Sequence, residues 1–462
     1  MANRNIILLT LDAVRKDIFD EWSTRIQKYS DLSYQQARAA SSWSVPSHAS
    51  MFSGKLPSEH GIHTYNRDMS SIPNRIQTNL PNDYHSICIS SNIYASSAYG
   101  FDELFDQYIE APRYQPYPDG LNATTYFHES DGSGLDLYLS FLRDAFSHDH
   151  SVKSLVNGGF SLAKAASIGR PIPDPVDDGA KLITRELTQL LKTSEKPVFA
   201  FANMMEAHAP MSHFHGMERC DNVPLSWSSS NIDYWDYVYN RDSHSEDIHN
   251  YRNLYKSSVA YLDKIVGDFI QDIKDIDGDT TIIITSDHGE NLGYDCEENN
   301  WEHKSSLSEA LLHVPFEVVN APDNGNESAF ISHLDLPEYI GAIADDRVAA
   351  IERKVVPAEI MGMSAGPEPP SDAEKWDLAR RCLYVEGEKY EWSENGRCQL
   401  INLDARQPSW QSITNRDVSV PKEKEEIFEE NIQSAAKMAA QDSGEINVDD
   451  ATAARLADLG YL

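Results

Sequence analysis

Four short stretches of the chain are apolar without a break and end on polar residues. They are "NIILLTL" (5–11), "HSICIS" (85–90), "PVFAFAN" (197–203) and "TTIIITS" (280–286). A strand with one wet face alternates apolar and polar residues. A strand that is apolar throughout must be covered on both faces, and that is the condition of a parallel sheet between two layers of helices. The segment 251–276, "YRNLYKSSVAYLDKIVGDFIQDIKDI", repeats Leu254, Val259, Leu262, Val266 and Ile270 at steps of three to five, which predicts a long amphipathic helix. Segment 177–193 predicts another. Strands alternating with helices give an α/β fold with a mostly parallel central sheet.

Two segments break this rhythm. Residues 107–176 and 212–250 are rich in Tyr, Asp, Ser and Pro and have weak periodicity. They read as insertions over one edge of the sheet, suited to a substrate lid. Residues 361–374, "MGMSAGPEPPSDAE", read as a linker. Beyond them, 381–403 predicts short strands joined by turns, then a charged helix and a short amphipathic one. The expected division is a catalytic domain over 1–360 and a small antiparallel α+β subdomain over 375–462.

Acidic residues outnumber basic ones 73 to 39, a net charge of −34. Nucleic acid and anionic membrane carry the same sign and are excluded as partners. A charge this large, spread along the chain, reads as the solvated surface of a halophile, with haloarchaea as the expected source. No run approaches the ~18 apolar residues of a membrane span. The start, "MANRNIILLTLD", reads as the first strand and not as a signal peptide. Five cysteines at wide spacing, with no C-x-x-C pair, suggest reduced thiols and a cytoplasmic setting.

In open α/β sheets, ligands bind at the carboxyl ends of the strands. The first strand runs into Asp12, and the fourth runs into Asp287 and His288 of "SDHGE". Ser44 opens "SVPSHASMFSG", a helix-like segment that closes on Gly54. Two carboxylates, an imidazole and a hydroxyl suit one divalent cation. Taken singly, each has a plainer reading: a turn aspartate, or a serine N-cap. Their shared placement at strand ends favours the site. His48, four residues past Ser44, falls on the same helix face if the helix begins near that serine; it suits either orienting Ser44 or contacting a leaving group, or a hydrogen-bonded structural role.

In order, these motifs resemble the sulfatase branch of the alkaline phosphatase superfamily. The carriers are Asp12, Arg15 and Asp17; Ser44, Pro46 and Ser47; Ser53-Gly54-Lys55, Pro57 and Gly61; "GFDELFD" (100–106); "NMMEAHAP" with His208; "TSDHGE"; "HKSSLSEALLHVP" with Lys304 and Glu309; "SHLDLPEYI" (332–340); and the terminal "LGYL". The resemblance implies a three-layer alkaline-phosphatase-like sandwich and a metal-dependent sulfuric ester hydrolase. It implies a metal on Asp12, Ser44, Asp287 and His288. Calcium is the family's usual ion, and manganese, magnesium and zinc also suit the ligands. It implies an attacking group at Ser44, converted in sulfatases to formylglycine, with His208 and Lys304 contacting substrate. The substrate would be a small-molecule or carbohydrate sulfate or phosphate ester.

Four positions depart from the family pattern. His48 replaces the motif's arginine, Ala13 replaces a second aspartate, and Asn92 and Tyr94 replace a Lys-x-His pair. These keep a rival in play: a phosphomonoester or phosphodiester hydrolase, or a phospho-group transferase, using unmodified Ser44. A non-catalytic binding protein on the same fold is the third reading.

Overall fold

A computed structural model describes residues 4–442 apart from 114, 131–133, 219–221, 277–278, 367–368, 370–372, 386, 405–408 and 417. Beyond 442 it describes 448, 452–453 and 456. The terminal "LGYL" and Cys220 lie outside the described residues.

The central sheet has eight strands. In chain order they are β1 (Asn5–Leu11), β2 (Leu32–Arg38), β3 (His85–Ser90), β4 (Gln107–Glu110), β5 (Val198–Met204) and β6 (Thr280–Thr285). After a small hairpin, β7 (Asn291–Leu292) and β8 (Trp301–Glu302), come β9 (Phe316–Val319) and β10 (Gly325–Ser332). The spatial order is β10-β2-β9-β6-β1-β5-β3-β4. β1 runs parallel to both β5 and β6, and β3 runs parallel to β4 and β5. β9 is antiparallel to both its neighbours, β2 and β6. The carboxyl ends of β1, β2, β3, β5 and β6 therefore lie along one edge.

The unbroken apolar runs are explained by two cores. Ile6 and Leu8 of β1 pack on one face of the sheet with Val45, Ala49 and Phe52 of the helix Ser44–Ser53. Ile7, Leu9 and Leu11 pack on the other with the helices Ala180–Thr193 and Ser245–Ile273. The latter helix begins six residues before the segment that the periodicity picks out.

The two irregular segments are more ordered than their composition suggests. Residues 107–176 open with β4, which pairs with β3 as the edge of the main sheet. Three helices follow, Ala123–Glu129, Gly134–Ser147 and Ser151–Ser167. Within 212–250 lies the aromatic helix Tyr234–Tyr239. The helices 123–167 pack mainly on a small core of their own, and Tyr234–Tyr239 joins the main core through Tyr234, Trp235 and Tyr237.

A second, five-stranded antiparallel sheet is built from β11 (Val355–Ile360), β12 (Arg380–Val385), β13 (Glu388–Ser393), β14 (Cys398–Leu403) and β15 (Gln411–Asn415). Its first strand precedes the expected linker. That linker is not an exposed tether over its described part: Met361, Ser364 and Ala365 are buried. A buried ion cluster joins the sheets. Glu309 pairs with Arg38 of β2 at 3.0 Å and with Lys389 of β13 at 2.9 Å, and accepts from the Tyr384 hydroxyl. Burial alone would raise the Glu309 carboxyl, but Lys389 and Arg38 outweigh it and hold it at about 2.

Candidate active site

Asp12 follows β1 and is wholly buried. The next residue, Ala13, sits in the left-handed region at φ 61°, which residues with a Cβ adopt mainly where surrounding contacts impose it. Those contacts are present. The Ala13 N–H reaches Asp287 Oδ1 at 3.3 Å, and its carbonyl accepts from the Tyr255 hydroxyl at 2.6 Å. β6 ends at Thr285, and Ser286, Asp287 and His288 follow, all buried.

Ser44 is the first residue of the helix Ser44–Ser53, preceded by Trp43, which offers no side-chain cap. Its hydroxyl is therefore at the positive end of the helix, where an anion is favoured. The helix closes at Gly54, whose φ of 67° suits glycine. His48 lies on the same face as Ser44, as the spacing predicts. Its Nε2 is 3.4 Å from Asp287 Oδ2 and accepts from Asn203 Nδ2 at 3.3 Å.

The ligating atoms of Asp12, Asp287 and His288 all lie within 4.8 Å of one another. Ser44 Oγ is 3.4 Å from His288 Nε2. The His288 Nδ1 donates to the Gly289 carbonyl at 2.8 Å, so Nε2 carries a lone pair toward the site. Asp287 Oδ2 thus faces two lone-pair nitrogens, His48 at 3.4 Å and His288 at 3.5 Å. Asp12 Oδ1 and Asp287 Oδ2 are both buried without a hydrogen-bond partner. Converging lone pairs in a dry site repel one another and leave desolvated oxygens uncompensated. A divalent cation relieves both problems, and the donor set of two carboxylates, one imidazole and one hydroxyl fits it.

The electrostatics point the same way. Burial first, and the neighbouring Asp287 second, push the Asp12 carboxyl up to about 7. Burial pushes Asp287 to about 7 as well. Burial drives His48 and His208 down to about 3 and lowers His288 and His303, so all four imidazoles are neutral at pH 7.

His208 follows β5 and donates from Nδ1 to the Ala209 carbonyl at 2.6 Å, which puts the imidazole lone pair on Nε2. Its ring lies 5.1 Å from that of His303, which lies 4.7 Å from that of His288. His303 Nδ1 is held by Glu290 Oε1 at 3.3 Å. Lys304 is buried within electrostatic reach of His208 and His303 and donates to the Ala365 carbonyl at 2.7 Å. Burial lowers its pKa, while Glu302 and Glu290 work against that shift.

Two residues without an expected role stand in the site. Asn92 Nδ2 donates to Asp12 Oδ2 at 2.6 Å and to Ser44 Oγ at 3.1 Å. Asn203 Nδ2 donates to Asp12 Oδ2 at 3.2 Å and to His48. The available signal was position, because each is a polar residue at the end of an apolar run, "HSICISSN" and "PVFAFAN". Other motif residues serve the framework. Arg15 binds Asp17, Glu297 and the Glu290 carbonyl. Asp335 pairs with Arg353, and His333 meets Thr285 Oγ1 at 3.0 Å. Phe101 of "GFDELFD" packs against the His48 ring at 5.8 Å.

Several solved structures share the fold. A phosphonate monoester hydrolase of Agrobacterium radiobacter superposes with a TM-score of 0.58 at 14% identity, covering 88% of this chain and 90% of that one. A 2-O GAG sulfatase gives 0.54 at 13% identity over 86% and 84%. A protein bound to its substrate, D-glucosamine-2-N,6-O-disulfate, gives 0.56 at 14% identity over 96% and 100%. No curated protein matches the chain in sequence. The sulfatase family model matches residues 4–345, a span that holds the whole eight-stranded sheet and every residue of the site, and on that match the chain belongs to the sulfatase family of ester hydrolases.

Proposed function

We propose that the protein hydrolyses a singly charged ester, in first place a sulfuric ester, with Ser44 as the attacking group. One divalent cation would be held by Asp12, Ser44, Asp287 and His288. The observation that carries this reading is the pair of orphaned carboxylate oxygens converging on a lone-pair imidazole beside a hydroxyl at a helix N-terminus. The bound cation supplies positive charge that lowers the hydroxyl's pKa and offsets the ester's negative charge.

The remaining steps belong to the protein's own groups. Asn92 fixes the Ser44 oxygen by donating to it and to Asp12 together. Ser44 Oγ, or the oxygen of its formylglycine derivative, forms the bond to sulfur as the bond to the departing oxygen breaks; attack of water on that sulfur, or loss of the proton of the derivative's second hydroxyl, then expels sulfate and restores the residue. His208 presents a neutral Nε2 suited to take a proton, and the Lys304 ammonium is suited to give one to the departing oxygen. Charge favours a monoanion. The two carboxylates balance the cation, the imidazoles are neutral, and the Lys304 ammonium, 4.0 Å from Glu302, adds a positive charge within reach of His208. Arg113, also within reach of His208, is taken by a two-point pair with Asp178.

A second reading shares that charge: a phosphodiester or phosphonate monoester hydrolase using unmodified Ser44. It is favoured by the buried, neutral His48 at the place of the motif's arginine. A dianionic phosphomonoester fits less well. Oxygen donors suit calcium or magnesium, and the imidazole tilts the choice toward manganese or zinc. A small-molecule or carbohydrate ester suits the neighbours' range. Four free cysteines among the described residues support a cytoplasmic setting.

Intact mass, metal analysis and a panel of aryl sulfate, phosphodiester and phosphonate monoester substrates test the proposal together. Conversion of Ser44 to formylglycine removes two hydrogens. An unmodified Ser44 in protein active only on phosphorus esters moves the assignment to the second reading. Metal-free protein that takes up no divalent cation overturns both.

A further inference from the structure

Large apolar side chains left in water cluster in one place. Among the described residues fifteen stand exposed, and nine of them fall between 135 and 172. On the helix Gly134–Ser147, Leu135, Leu139, Leu142 and Phe146 recur at steps of four, three and four, which makes one stripe. Their exposures are 80%, 61%, 42% and 67%. Val152 and Ile168, at the two ends of the helix Ser151–Ser167, add 73% and 71%. An adjoining face of the same helix is used up inside: Phe141 and Ala145 are buried in a small core of their own. Gly158 packs against Phe141 so closely that a Cβ there would lie 2.3 Å from the ring. The stripe is thus displayed on a firmly packed hairpin and is not a core surface that the chain itself could cover by a small shift.

The charge at this place also differs from the rest. Residues 134–172 carry four basic side chains (Arg143, Lys153, Lys164, Arg170) and three acidic ones (Asp136, Asp144, Asp149), a net of +1 in a chain of −34. The rest of the chain carries the whole acidic excess, so contact between two copies there is opposed on average by like charge. The nine exposed apolar side chains between 135 and 172 offer surface on the order of the ~800 Å² that each partner buries in a stable interface of ordinary size.

We propose that two copies of this chain associate through the hairpins 134–167, packed face to face about a two-fold axis as a four-helix contact. The near-neutral patch is where two strongly acidic molecules can approach, and the Leu and Phe stripe gives the contact its free energy. Added salt screens the repulsion between the acidic remainders, so association tightens as ionic strength rises.

The test is the molar mass of the full chain by light scattering and sedimentation at micromolar concentration, at low and at molar potassium chloride. A dimer is expected, tighter at high salt. The double variant L139D/F146D is expected to raise the dissociation constant by at least about 100-fold. Its circular dichroism, melting temperature and hydrolytic rate should match the parent at monomer concentrations, because both side chains are already in water. A wild type monomeric throughout, or a double variant that stays dimeric, overturns the proposal. So does a monomer that floats with phosphatidylcholine vesicles through Leu139 and Phe146, since the stripe would then serve a lipid surface.

Discussion

In protein dialysed free of metal, with only the pH changed, the paired carboxylates predict the outcome. Asp12 and Asp287 stand at about 7 in the folded chain, against an ordinary value of 3.8. A difference of about 3 pH units corresponds to about 4 kcal/mol for one carboxylate. The two are close enough to titrate as a pair, so the total is less than twice that. Because the folded values are raised, the folded chain holds more protons than the unfolded chain between about pH 4 and 7. Stability of the metal-free protein therefore falls as pH rises through that window, and the full penalty is present above it. A divalent cation replaces the protons and removes the penalty. The assay is thermal melting of chelator-dialysed protein at pH 5.5 and pH 8, with and without manganese or calcium. The expected stabilisation by metal is several degrees larger at pH 8 than at pH 5.5. Equal stabilisation at both values, or a larger one at pH 5.5, refutes the argument that the two carboxylates are the metal's principal ligands. An Asp287→Asn variant should flatten the difference, which separates the pair from the rest of the acidic surface.

Three further outcomes follow from the site and surface. Ser44→Ala should lower kcat by at least about a thousandfold with no change in melting temperature, measured on the best ester of the panel. Asn92→Ala removes the donor shared by Ser44 and Asp12, and should weaken metal binding or turnover by about 10–100-fold, read by calorimetry and by rate. Because the net charge is −34, the melting temperature should rise with potassium chloride until the repulsion is screened; a flat profile would contradict the halophilic reading.

Much of the central architecture was legible because burial on two faces leaves a plain mark. "NIILLTL" and "TTIIITS" are apolar without alternation, and both prove to be neighbouring parallel strands with a core on each side. The site was legible for a related reason, since the polar residues that end such runs are brought to one edge by the topology. Asp12, Asp287 and His288 needed only that rule. Ser44 and His48 needed the helical period as well. Asn92 and Asn203 escaped because an amide gives no hint of chemistry until its neighbours are known. The hairpin 134–167 escaped because it lies inside a segment rich in Tyr, Asp, Ser and Pro, although Leu135, Leu139, Leu142 and Phe146 do recur at helical spacing.

The ion cluster at Glu309 bears on where this protein can be divided. The family match stops at residue 345, which invites removal of everything downstream. Such a cut would take away Lys389 and Tyr384 and leave Glu309 with Arg38 as its remaining partner in that cluster. Cys382, Tyr384, Val356 and Ala358 would leave with them, opening the flank of the core that also supports the Ser44 helix. Truncation at that point would expose a wet seam beside the Ser44 helix, so the smallest autonomous unit is expected to be longer than the shared domain.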